Sequence, residues 1–146
     1  IKNPSMKRHQ KTQILFFIAA VVWGLLIFYL SSIPNLQSAL PSWQDMILRK
    51  LAHIFVFFIL TYFLISSFVK YKRFYIYFVI VAAIAYAFID EYHQVFVPFR
   101  YGNAKDILID SLGVLFGAAL YSTWPPHKIL TRFAGASARR EKIKKS

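Results

Sequence analysis

Apolar positions in this chain are gathered into blocks rather than spaced along one face of each element. Four nearly continuous runs cover residues 14–30, 51–69, 74–89 and 107–124. Each is about 16 to 19 residues long, close to the roughly 17 to 25 that a helix needs to cross the hydrocarbon of a bilayer. None has the polar face of a surface helix, and none alternates polar and apolar positions as a barrel strand does. The pattern predicts four transmembrane helices, since lipid-exposed backbone must satisfy its own hydrogen bonds. A soluble helical core is a poor alternative, because too little polar chain is left to cover four such runs. The short connection 70–73 makes the second and third runs an antiparallel pair. The first run exceeds the roughly 7 to 15 apolar residues of a signal peptide and is followed only by a weak cleavage site at Leu30-Ser31-Ser32, so it reads as a retained span.

Charge orients the bundle. The chain of 146 residues carries 18 Lys and Arg against 6 Asp and Glu, a net charge of +12. With four spans, the two termini and the 70–73 loop share one side, and all the bases except Arg49, Lys50, Arg100 and Lys105 lie there. An excess of Lys and Arg marks the cytoplasmic face, which predicts an all-α integral membrane four-helix bundle with both termini cytoplasmic. The chain divides into a basic N-terminus (1–13), a four-span membrane domain (14–124) and a basic tail (125–146) that Pro125 and Pro126 set off. Bases that flank spans fix orientation and meet anionic headgroups, so no nucleic-acid partner is expected. The absence of cysteine excludes thiolate metal sites and thiol catalysis.

The acids are distributed the other way. Asp45, Asp90, Glu91, Asp106 and Asp110 fall at or near the outer face, and Glu141 alone lies inside. Lys50 and His53 are neighbours on one helix face, as are Asp90, His93 and Gln94, with Glu91 about 100° from Asp90. Asp106, Asp110, Gly113 and Gly117 form one stripe, whose glycines admit close approach by another helix. That stripe carries Asp110 roughly 6 Å deeper than Asp106, where an ionisable residue is a functional candidate by default. The bland alternative is a set of ion pairs, Asp110 with Lys50 or Arg100 or Glu91 with Arg100, that only lock the bundle. Trp23, Trp43 and Trp124 suit packing and interface anchoring. Pro41, Ser42 and Trp43, with Leu36, Leu40, Met46 and Leu48, read as an amphipathic outer segment over the cluster.

Three kinds of chemistry fit these residues. In an enzyme acting on a lipid-linked phosphate, Lys50 and Arg100 hold the anion. His53 is then nucleophile or acid/base, oriented by Asp90 or Glu91, and His93 is a second proton-transfer group. Gln94, Asp106 and Asp110 line the substrate side. A divalent cation held by Asp90, Glu91, Asp106 and Asp110 is a variant of this scheme. In a binding protein the same cations hold a headgroup and no nucleophile is needed. An ion-coupled carrier would use buried Asp110 and, with so few spans, a homodimer joined through the glycine stripe.

The order Lys50-x2-His53, then Asp90-Glu91-x-His93-Gln94 with Pro98-x-Arg100, then Asp106-x3-Asp110-x2-Gly113-x3-Gly117 resembles the VanZ-like family of small bacterial membrane proteins. Tyr29-Leu30-Ser31-Ser32-Ile33-Pro34 is also similar to that family. The family often has Gly where this chain has Phe99, and Asn where it has Asp110. The resemblance implies a multi-pass protein of the bacterial cell membrane, associated with lowered susceptibility to teicoplanin-type glycopeptide antibiotics. Its expected partners are membrane lipid and a lipid-linked cell-wall precursor or glycopeptide. The favoured reading is an envelope protein with an outer-leaflet polar site that acts on or binds such a headgroup. A lipid phosphatase or transferase type of enzyme and a small carrier stand beside it.

Overall fold

The structure, a computed structural model, describes residues 4–34, 41–68 and 74–126, with side chains from residue 10 onward. The tail from residue 127 and the 70–73 connection, which carry much of the charge asymmetry, lie outside the described residues. So do Leu36 and Leu40. Four helices make up the bundle: α1 (Pro4–Ser31), α2 (Ser42–Ser67), α3 (Phe74–Gln94) and α4 (Ala104–Thr123). Each holds a stretch long and apolar enough to cross a membrane, and there is no strand among the described residues.

The helices overrun their apolar runs at the polar end. α2 begins at Ser42, directly after Pro41, and continues unbroken through Gln44, Asp45, Arg49 and Lys50. Asp45 lies in the first turn, where the partial positive charge of the helix N-terminus favours an acid. It bonds Arg49 Nη2 at 2.9 Å, one turn on. Trp43, Met46 and Leu48 therefore lie in the opening turns of α2, continuous with the span. α4 starts at Ala104 because Asn103 caps it, its Oδ1 accepting from the Lys105 amide at 3.0 Å.

α2 is the central helix and packs against the other three. Its tightest neighbour is α4. A Cβ at Gly113 would collide with the Ile54 carbonyl, and one at Gly117 would lie 2.5 Å from the Phe58 carbonyl. The glycine stripe is thus spent inside the chain, against α2, and is not a free surface for a second copy. Beside this seam Ile27, Phe57, Leu60, Ala83, Ala87 and Val114 form the apolar core. In mid-bundle α1 is fastened by two hydrogen bonds among the described residues: Trp23 Nε1 donates to Val56 O at 2.9 Å, and Tyr86 Oη donates to Gly24 O at 2.7 Å. Trp23 therefore acts in mid-bundle and not as an interface anchor.

The burial pattern is that of a protein solvated by lipid. Thr61, Ser66, Asp90, Glu91, Gln94 and Asp110 are buried, while Leu15, Leu25, Tyr77, Phe78, Val81 and Leu108 are exposed. In water such a surface would be an aggregation liability; in hydrocarbon it costs nothing.

One backbone position is strained. Phe99, in the turn between α3 and α4, has φ of 63°, a left-handed conformation that glycine adopts freely and that costs other residues roughly 1–2 kcal/mol.

The α2–α4 seam makes a paired prediction. Gly113→Ala forces the helices apart and should lower stability by about 1–3 kcal/mol. Gly24→Ala, whose Cβ would meet nothing closer than 3.9 Å, should be neutral or stabilising by up to about 1 kcal/mol. Thermal unfolding of both variants in detergent checks the contrast, and equal midpoints would refute it.

Candidate functional site

At the end of the bundle where α1 and α3 finish and α2 and α4 begin, polar side chains from all four helices converge. The seam brings His53 of α2 against α4. His53 Nδ1 lies 2.9 Å from Asp110 Oδ1 and 4.0 Å from Glu91 Oε1. Asp110 is 0% exposed, and its Oδ2 has no hydrogen-bond partner. No group among the described residues bonds His53 Nε2.

The orienting partner of His53 is therefore Asp110, with Glu91 next, and not Asp90. The reason is helical rotation. Asp90 and Glu91 point about 100° apart, so only one of them can face the α2–α4 seam. Asp90 turns instead toward α1: its Oδ2 accepts from Ser31 Oγ at 2.8 Å and from Gln94 Nε2 at 3.0 Å, while its buried Oδ1 has no partner. Glu91 is fixed from behind, because its Oε2 accepts from the Asn103 amide at 2.8 Å. Gly102 permits this, since a side chain there would run into the Glu91 backbone carbonyl. Gln94 Nε2 approaches Glu91 Oε1 at 3.5 Å, the limit of a hydrogen bond.

His93 is held away from this group. Its Nε2 lies 3.0 Å from Ser32 Oγ, and its ring packs on Phe28 with centroids 4.5 Å apart. The Ser32 hydroxyl donates its one proton to Phe28 O at 2.7 Å, so His93 Nε2–H must be the donor to Ser32. Both partners belong to the end of α1.

The cations also differ from the expected pairs. Lys50 Nζ bonds Asp106 Oδ1 at 3.0 Å on the rim, with the side chains 39% and 25% exposed, a pair worth at most about 1 kcal/mol. It does not pair with Asp110. Arg100 makes no ion pair with a carboxylate among the described residues. Its Nη2 donates to Leu30 O at 2.8 Å and its Nε to Ile33 O at 3.1 Å, closing the open carbonyls at the end of α1. Burial lowers the pKa of its guanidinium, Asp90 and Glu91 raise it and Arg49 lowers it further; arginine stays charged throughout.

Two cavities adjoin this cluster. A polar cup of about 200 Å³ is walled by Arg49, Lys50 and Arg100, with His53, Gln94 and Asp106. A mostly apolar slot of about 110 Å³ runs between α1, α2 and α3, walled by Ile27, Leu30, Ala52, Val56 and Phe57. Arg49, His53 and Arg100 belong to both. Of the residues singled out from sequence, the structure puts Lys50, His53, Gln94, Arg100 and Asp106 on the wall of the cup, buries Glu91 and Asp110 beside His53, sets Asp90 at the slot, and leaves His93 on the α1 flank. Sequence reasoning assigned no role to Ser31, Ser32, Asn103 or Arg49. Two adjacent hydroxyls closing an apolar run were the available signal for the first pair.

A family model described as VanZ/LLP1 matches residues 14–125, well over half of the chain. No curated protein and no solved structure matches it.

Arg100→Ala leaves the carbonyls of Leu30 and Ile33 without their charged donor, and should lower stability by about 1–3 kcal/mol. Lys50→Ala, at the rim, should lower it by no more than about 1 kcal/mol. Unfolding midpoints rank the two, and hydrogen exchange over residues 28–34 should rise in the Arg100 variant alone.

Proposed function

The chain belongs to the VanZ-like family of multi-spanning membrane proteins, and from that premise we propose that it binds the phosphate headgroup of a membrane amphiphile at the outer leaflet. The observation that carries this reading is the junction of cup and slot. The cup sets three cations against one carboxylate, Asp106. The slot beside it is lined mainly by apolar side chains and shares three walls with it. A free anion needs only the cup, whereas a phosphate on an acyl or isoprenyl chain uses both.

Size narrows the class. The cup is smaller than the roughly 300–1,000 Å³ of drug-sized pockets. It suits a phosphate-sized head rather than a whole glycopeptide or the glycan and peptide of a cell-wall precursor. Lowered teicoplanin-type susceptibility, where it occurs, would follow from a changed supply or exposure of such a lipid. The outer placement follows the charge asymmetry, with both termini cytoplasmic.

One observation favours a second reading, hydrolysis. His53 Nδ1 is held by Asp110 and no group among the described residues bonds Nε2, as in histidines that act as a base. Nε2 would take a proton from water as its oxygen bonds to phosphorus; the ester oxygen would leave and receive that proton. Substrate and water would yield lipid alcohol and inorganic phosphate.

The test uses purified protein in nanodiscs of phosphatidylcholine with a polyprenyl phosphate. The expected result is selective retention of the phosphate lipid, weakened at least tenfold both by Arg49→Ala, which removes a cup cation, and by Ala52→Trp, which fills the slot. Retention untouched by either change would dispose of the reading. A dephosphorylated product that requires His53 would put hydrolysis ahead of simple binding.

A further inference from the structure

We propose that His53, Glu91 and Asp110 bind a single divalent transition-metal ion of the zinc or manganese class. Each offers one ligand atom, and these atoms all lie within 4.8 Å of one another. They come from three different helices, α2, α3 and α4, so the site exists only in the folded bundle. Metal–ligand bonds of about 2.0–2.2 Å set neighbouring ligand atoms roughly 3–3.5 Å apart on one ion. The 2.9 Å and 4.0 Å separations from His53 Nδ1 bracket that range.

A second observation points the same way. Asp110 is fully buried, and its Oδ2 has no hydrogen-bond partner. An unsatisfied buried carboxylate oxygen is costly, and a cation held by both oxygens of Asp110 satisfies it. The charges agree. Glu91 and Asp110 are both buried, and the nearby cations are engaged elsewhere, Lys50 with Asp106 and Arg100 with the end of α1. With His53 neutral, as a ligand must be, two carboxylates match one dication.

The donor set selects the metal. One imidazole nitrogen and two carboxylate oxygens suit zinc, manganese or ferrous iron better than calcium or magnesium, which favour oxygen throughout. Glu91 is held by the Asn103 amide through its other oxygen, the outer support that metal ligands need. His53, with a side chain 22% exposed, opens the site to the cup. Three protein ligands leave coordination positions vacant toward that side. The cation that the acids alone suggested, on Asp90, Glu91, Asp106 and Asp110, loses two members: Asp90 is turned toward α1, bonded by Ser31 and Gln94, and Asp106 is paired with Lys50. Histidine replaces them.

The inference does not depend on lipid binding and is tested without lipid. The full chain, purified in detergent and stripped with chelator, is equilibrated with Zn2+ or Mn2+ and desalted. Bound metal is counted by elemental mass spectrometry, and the unfolding midpoint is read beside it. About one ion per chain is expected, with a raised midpoint. Asp110→Asn keeps an acceptor for His53, and so the fold; together with His53→Ala it should reduce affinity at least tenfold and abolish the midpoint shift. Lys50→Ala should bind as the wild type does. Failure of the wild type to take up either metal, or uptake unchanged in Asp110→Asn and His53→Ala, would overturn the proposal.

Discussion

Everything at the polar end of this bundle depends on how closely α4 lies against α2. Gly113 faces the carbonyl of Ile54, the residue that follows His53, and it stands one turn beyond Asp110 on the same stripe. Backbone contact at that point fixes the distance between the two side chains one turn away. A wider seam would leave His53 and Asp110 too far apart to bond, and would admit lipid or water beside a buried carboxylate. The glycines thus set a chemical distance as well as a packing distance.

A bundle in lipid gains little from burying apolar side chains, because the surroundings are equally apolar. What holds this one together is close packing and polar closure. Trp23 and Tyr86 tie α1 to its neighbours through mid-helix carbonyls. Asn103 starts α4 and clamps Glu91 with its own amide. One residue that completes the fold, Asn103, therefore also positions an acid, and it cannot be changed without touching both.

The four spans were legible because hydrocarbon thickness leaves a direct mark on composition. Their ends were less so. Apolarity says where lipid stops and not where the helix stops, and α2 continues through Asp45, Arg49 and Lys50 on its own hydrogen bonds. Convergence of the polar residues at one end followed from counting spans. The pairings did not, because they turn on helix rotation. Asp90 and Glu91 are adjacent in sequence, yet one serves α1 and the other the His53 cluster. Periodicity could establish that Gly113 and Gly117 meet a backbone, but not that the backbone is α2 of the same chain. Arg100 carries no sequence signal for capping a helix seventy residues earlier.

That last contact has a mechanical meaning. A guanidinium has five N–H donors, and the end of α1 uses one on each of two nitrogens of Arg100. The side chain is anchored like a bracket, with donors to spare, on the wall of both cavities. A ligand arriving there meets a cation whose rotamer is already chosen, and little conformational freedom is lost on contact. Lysine, with its single ammonium, could not span both carbonyls and still present a planar face outward. One arginine joins the first helix to the last turn before the fourth, and any force exerted on it by a ligand is transmitted directly to the end of α1.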